Sequence, residues 1–93
     1  MVPLAELFPI LAEKYPDIPE VQEGIVKLGW NYCVGEKIRN VSEPLRFENG
    51  ILHVRVTSPE WRPTLNDMKT EIIGRINKYV RRNLLKDVQI ILR

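Results

Sequence analysis

The spacing of hydrophobic positions changes several times along the chain, and each change predicts an element. Leu4, Leu7, Phe8, Leu11 and Ala12 keep helical spacing, which predicts a short helix over 4–15 with Pro9 tolerated in its first turn. Tyr15-Pro16-Asp17-Ile18-Pro19 breaks it, because a residue that precedes proline is driven out of the α region. A second helix is predicted from Pro19, a residue suited to a first helical position, to about residue 34. Val21, Ile25, Leu28 and Tyr32 form its apolar stripe, with Trp30 and Val34 beside it. Gly35 is its stop, and one further turn follows through Glu36 to Arg39.

The period then drops to two. Pro44-Leu45-Arg46-Phe47-Glu48 and Ile51-Leu52-His53-Val54-Arg55-Val56-Thr57 alternate around Asn49-Gly50. Both central residues of a tight hairpin turn need positive φ, which Asn and Gly tolerate, so the pattern predicts two antiparallel strands. Leu45, Phe47, Leu52, Val54 and Val56 are expected on the buried face, and Arg46, His53 and Arg55 on the other. Thr57-Ser58-Pro59-Glu60 reads as a helix start. Either Ser58 caps with Pro59 at the first position, or Thr57 caps and Glu60 answers three residues on. Pro63 lacks a backbone donor, so the regular helix is expected to begin nearer to it. Trp61, Leu65, Met68, Ile72, Ile76 and Tyr79/Val80 recur at steps of three and four, and Asn83 is its expected end. Lys86 to Arg93, with Val88, Ile90 and Leu92 alternating, predicts a closing strand. The order helix, helix, strand, strand, long helix, strand places helices on one face of a three-stranded sheet, an α+β fold.

Length and composition narrow the functions such a fold can serve. Ninety-three residues suit one domain, expected over 1–93, that buries roughly 60 to 65% of the surface of its unfolded chain. A single cysteine, Cys33, excludes an internal disulfide framework and points to a reducing compartment. No apolar run approaches the roughly 20 residues of a spanning helix, and Met1-Val2-Pro3-Leu4-Ala5-Glu6 has no signal-peptide character. A cytoplasmic protein is expected. His53 is the only histidine, so no His-pair metal site exists. Cys33 and His53 fall in a helical and a strand segment with no third group to orient them as nucleophile and base. Glycines 24, 29, 35, 50 and 74 do not have phosphate-loop spacing. No catalytic residue, metal, cofactor or small-molecule substrate is expected.

Charge sharpens the alternative of a binding protein. The net +2 conceals two halves: residues 1–36 hold two cations and six anions, and residues 37–93 hold twelve cations and six anions. On the long helix Arg75, Lys78 and Arg82 fall within roughly 60° of one another, with Arg81 at the margin. Glu71 precedes Arg75 by four and offers it a partner. On the polar sheet face Arg46, His53 and Arg55 are joined by Gln89 and Arg93 from the last strand. Like charges across strands repel, so an anionic ligand would relieve that face, although Glu48 is close by. Each set is either a solvated face or a phosphate-binding surface. Trp61, in the first turn of the long helix, either packs in the core with Leu65 or leaves an edge exposed to anchor a partner.

Three blocks carry a family resemblance. The first is Trp30-Asn31-Tyr32-Cys33-Val34-Gly35-Glu36-Lys37-Ile38 followed by Ser42-Glu43-Pro44. The second runs from Gly50 to Leu65 and fits Gly-x-Leu-x-Val-x-Val-x-Ser-x-x-Trp-x-x-x-Leu at every fixed position. The third is Met68-Lys69 through Ile72, Ile76 and Asn77. Together they resemble the DciA family of bacterial replicative-helicase loaders. The resemblance implies a KH-like α+β fold and binding to a hexameric replicative helicase of the DnaB type. It also implies binding to single-stranded or structured DNA, with no ATPase activity, in the nucleoid-associated cytoplasm. With it, helicase contact is expected at the surface of Trp61 and Leu65, and the charge placement described above makes Arg46, Arg55, Arg75, Lys78, Arg81, Arg82 and Arg93 the expected DNA contacts. Two departures stand out. Asn40 and Val41 occupy a stretch where many relatives carry a His, and the chain stops at Arg93 where many continue into a flexible basic tail. The chain is therefore expected to be the folded domain with little added. A KH clamp is not implied, since no Gly-x-x-Gly occurs. A KH-like nucleic-acid-binding module without a helicase partner is the alternative.

Overall fold

Asn49 and Gly50 adopt φ of 54° and 80°, the paired left-handed conformation that a two-residue hairpin turn requires. Around that turn the computed structural model, which describes residue 14 and residues 18–92, runs in six elements. These are α1 (Pro19–Cys33), α2 (Glu36–Val41), β1 (Ser42–Glu48), β2 (Ile51–Val56), α3 (Trp61–Val80) and β3 (Asp87–Leu92). The order is the expected one, and the fold is α+β. The helix expected over 4–15 lies outside the described residues apart from Lys14, and so does Arg93.

The sheet order is β1-β2-β3, with β1 antiparallel to β2 and β3 parallel to β2. A parallel partner cannot be reached by a tight turn, and α3 supplies the crossover. One sheet face carries Leu52, Val54 and Val56 of β2 with Val88 and Ile90 of β3, all buried. Leu65, Ile72 and Ile76 of α3 and Val26 and Trp30 of α1 pack into the same cluster. The described residues bury no polar or charged side chain.

Several boundaries differ from the periodicity. In α1 the buried positions are Ile25, Val26, Gly29 and Trp30, while Tyr32 is 47% exposed. Gly29 is the reason: a Cβ there would meet Ile76 Cγ2 at 3.2 Å, so the helices approach closest along the glycine and the stripe turns toward it. Tyr32 stacks instead on Tyr79, with ring centroids 5.9 Å apart. In β1 the register slips between Pro44 and Arg46, and Leu45 sits in that irregularity with 37% exposure, not on the buried face. Leu92 shares a row with buried Val56 but is 41% exposed at the end of an edge strand.

The long helix begins earlier and ends earlier than expected. Ser58 opens the turn before it, its hydroxyl accepting from the Glu60 N–H and its carbonyl from the Trp61 N–H. Pro63 lies in the first turn, where its missing donor has no intrahelical partner to lose. At the other end Arg81, at φ 60° and ψ 29°, terminates the helix two residues before Asn83. Its N–H donates to the carbonyls of Asn77 and Lys78.

Candidate nucleic-acid interface

The register of the sheet decides which charges meet on its open face. Three cross-strand rows form: Glu43 with Arg55 and Ile91, Arg46 with His53 and Gln89, and Glu48 with Ile51 and Asp87. The Arg55 guanidinium donates to the Glu43 carboxylate beside it in the first row. Among the described residues Glu43 and Glu48 thus match Arg46 and Arg55 in number, which offsets the positive charge expected there. Asp87, at the corner, turns its carboxylate to Lys69 of α3 at 3.5 Å. The sequence reading missed the Arg55 pairing because it began β1 at Pro44, one residue after Glu43.

The cations expected on one face at the end of α3 separate into two groups. Arg75 donates to Glu71 one turn back at 2.6 Å and to the Cys33 carbonyl at 3.4 Å. It therefore ties α3 to the end of α1. Beyond it Lys78, Arg81 and Arg82 gather at the C-terminal end of the helix around a shallow hollow completed by Gly74, Asn77 and Asn83. All three cations are exposed, and the described residues that line the hollow include no carboxylate. A helix C-terminus favours positive charge, which makes this a stable place to concentrate it.

The mount of this cluster is a side chain. Asn77 accepts from the Leu85 N–H through Oδ1 and donates to the Leu85 carbonyl through Nδ2, both at 2.8 Å. The turn that carries Arg81 and Arg82 is clamped at both ends by that pair of bonds. Asn83 also borders a second hollow, which contains Lys86 and Glu48. Lys86 lies over the hairpin turn, its N–H donating to the Gly50 carbonyl at 2.8 Å. Its stem fills the space a Cβ on Gly50 would occupy. Lys86 was read from sequence only as a strand start, since nothing local connects it to Asn83 and the hairpin.

At the opposite end of α3, Trp61 is half-buried and packs on the core cluster, which leaves part of the ring at the surface. Leu65 is 1% exposed and belongs to the core, so it offers no surface beside Trp61. Cys33 is half-buried, and its thiol is pushed above the usual range chiefly by burial, with the Arg75 guanidinium pulling the other way. Burial is also the main cause of a raised Tyr79, followed by the nearby Tyr32 and Cys33.

Residues 3–90 match the family model described as "Dna[CI] antecedent, DciA". The chain belongs to the DciA family. It is also similar to a UPF0232 protein from Rhodococcus jostii, 32% identical over 88 residues that cover 95% of this chain and 47% of the relative. UPF0232 proteins from Mycobacterium ulcerans and Mycobacterium marinum are each 28% identical over the same coverage. The chain spans about half the length of the curated relatives it matches. In this DciA chain the motif residues divide the work: Trp30 and Ser42 are joined by a hydrogen bond, Asn77 clamps the basic turn, and Trp61 stands partly exposed at the far end of α3.

Proposed function

We propose that this DciA chain acts in bacterial DNA replication by binding both a hexameric replicative helicase of the DnaB type and DNA, helping to place one on the other. The observation that carries the reading is the family match across residues 3–90. The geometry supports a bipartite arrangement. A half-buried Trp61 marks one end of α3 and the Lys78, Arg81 and Arg82 cluster marks the other. At 1.5 Å per residue a helix of 20 residues separates the two by about 30 Å, so a protein partner and a nucleic acid need not compete. Aromatic anchors suit protein contacts and clustered cations suit phosphates. The role is one of binding, without a reaction of its own, in the nucleoid-associated cytoplasm. Among the described residues no helix is long and apolar enough to cross a membrane.

The test is capture of purified replicative helicase on the immobilised protein, with and without single-stranded DNA. The reading expects helicase to be retained and its DNA occupancy to rise. Neither effect occurring would refute it; DNA binding alone would favour the KH-like module without a helicase partner. Trp61→Ala should lose helicase retention while remaining folded, with a lowered melting temperature because part of the ring packs on the core. Retention that is lost only when the fold is lost would return Trp61 to the core.

A further inference from the structure

The sheet has two edges, and they differ in a way that the proposed function does not use. We propose that the outer edge of β3, with the groove between it and α3, takes an extended acidic segment of a protein partner as an added strand. The inference goes beyond the helicase and DNA reading and does not depend on it.

The pairing of β3 decides which of its backbone groups are offered. The Asp87 N–H donates to the Gly50 carbonyl, on the β2 side. In a parallel ladder alternate residues bond to the same neighbour, so Gln89 and Ile91 also face β2. Val88, Ile90 and Leu92 then turn their N–H and C=O groups outward. The Val88 N–H is met there by the carboxylate of Asp87 at 2.8 Å. Past it, Ile90 and Leu92 form the open stretch, and among the described residues no strand pairs on it.

Natural sheet edges are protected against pairing by charge, proline or a bulge. β1 has all three: the charges of Glu43, Arg46 and Glu48, Pro44, and the irregularity between Pro44 and Arg46. β3 has only the charge of Asp87 at its start. Val88-Gln89-Ile90-Ile91-Leu92 carries no charge or proline, and its register to β2 runs without a shift. An edge left open, in a sheet whose other edge is closed by three devices, is suited to accept a strand.

The groove sets the chemistry of the partner. Arg62, Asn66 and Lys69 follow one another along one side of α3 and line a hollow together with β3 from Asp87 to Ile90. Lys69 is shared with Asp87, whereas Arg62 is exposed and makes no ion pair among the described residues. Two cations against one anion leave the described lining positive, and an acidic side chain on the added strand would answer Arg62. A second copy of the chain fits less well. Antiparallel pairing of two β3 strands about a two-fold axis would set the Arg62 and Lys69 rows of the two α3 helices against each other. A nucleic-acid phosphate backbone also fits less well, because the outward carbonyls of Val88 and Ile90 need donors and phosphate oxygens only accept.

The experiment is fluorescence anisotropy with a labelled synthetic peptide of alternating Glu and Val, about ten residues long to span a strand, beside amide exchange of the protein read by NMR. The peptide should bind with a Kd below about 1 mM. The amides of Ile90 and Leu92 should exchange at least about fivefold more slowly in its presence, while Gln89, already paired to β2, changes little. The same peptide methylated on its backbone nitrogens keeps its charge but cannot pair, and should bind at least about tenfold more weakly. Lys in place of Glu should weaken binding about fivefold, and Arg62→Glu should remove that preference with the melting temperature unchanged, since Arg62 is exposed. No binding at about 1 mM, equal binding of the methylated peptide, or unchanged Ile90 and Leu92 amides would overturn the added strand. Indifference to Arg62→Glu would overturn the acidic partner. Protection of the two amides that rises with protein concentration alone would make a second copy the occupant, and full protection in the dilute protein would mean that the chain covers its own edge. An oligothymidylate that protects the same amides would give the edge to nucleic acid. Each of these outcomes leaves the helicase and DNA tests as they stand.

Discussion

The indole Nε1–H of Trp30 donates a 3.0 Å hydrogen bond to the Ser42 hydroxyl, which donates in turn to the Ile38 carbonyl. Trp30 has no exposed surface, so its single polar atom depends wholly on this partner. The chain of bonds links α1 to the last turn of α2 and the first residue of β1, joining two parts of a motif twelve residues apart.

Ser42→Ala removes the acceptor and leaves the indole donor buried without a partner. An unsatisfied buried donor costs about 1–3 kcal/mol, which in a domain of this size lowers the melting temperature by about 4 °C or more. Thermal and urea denaturation measure it, and Ser42→Thr, which keeps the hydroxyl, should recover most of the loss. An unchanged midpoint in Ser42→Ala would mean the bond contributes nothing.

Asn77→Ala removes both bonds to Leu85, whose side chain is buried. The expected loss is about 1–3 kcal/mol in chemical denaturation, since two backbone groups lose their partner together. Amide exchange supplies the local readout: the Leu85 N–H should exchange faster than the amides of β2. Equal protection in the variant would show that the turn does not need the clamp.

Arg81→Gly replaces a side chain in the left-handed region with the residue that adopts it freely. Stability should rise by about 0.5–1 kcal/mol while DNA affinity falls, because the same substitution relieves strain and deletes a cation. Urea midpoints and anisotropy together check this, and a fall in both quantities would contradict the strain argument.

Cys33 carries a pH dependence. Burial raises its thiol, so the folded state holds the proton to higher pH than the unfolded chain does. The associated stability is fully present below the unfolded value, about 8.5, and is lost as pH climbs through the folded value. Tyr79, also raised, acts in the same direction at still higher pH. Urea midpoints should decline on the alkaline side of that window, and alkylation of Cys33 at pH 8 should be slower in the native protein than in urea. A Cys33→Ala variant with the same alkaline decline would place its origin elsewhere.

What could be read from the sequence were the features set by neighbours along the chain. The Asn49-Gly50 hairpin, the order of elements and the apolar core positions of β2 and α3 follow from local periodicity and turn chemistry, which act over a few residues. So did the Arg75–Glu71 pair, which is a matter of one helical turn. The family motifs were legible as well, but not what Trp30, Ser42 and Asn77 do, because their partners are eight and twelve residues away.

Tertiary structure decided the rest. The irregularity between Pro44 and Arg46 turned Leu45 outward, and the resulting register set Glu43 against Arg55 and offset part of the positive charge of the sheet face. Close approach at Gly29 rotated the buried face of α1 away from Tyr32. The end of α3 at Arg81 gathered Lys78, Arg81 and Arg82 at one edge, with Asn83 and Lys86 brought alongside by the fold. Composition alone determined that the chain from residue 37 onward is basic. Where that charge is cancelled and where it accumulates depends on which strands and helix ends meet, and pairings across the sheet and between elements carry no signature in the residues immediately beside them.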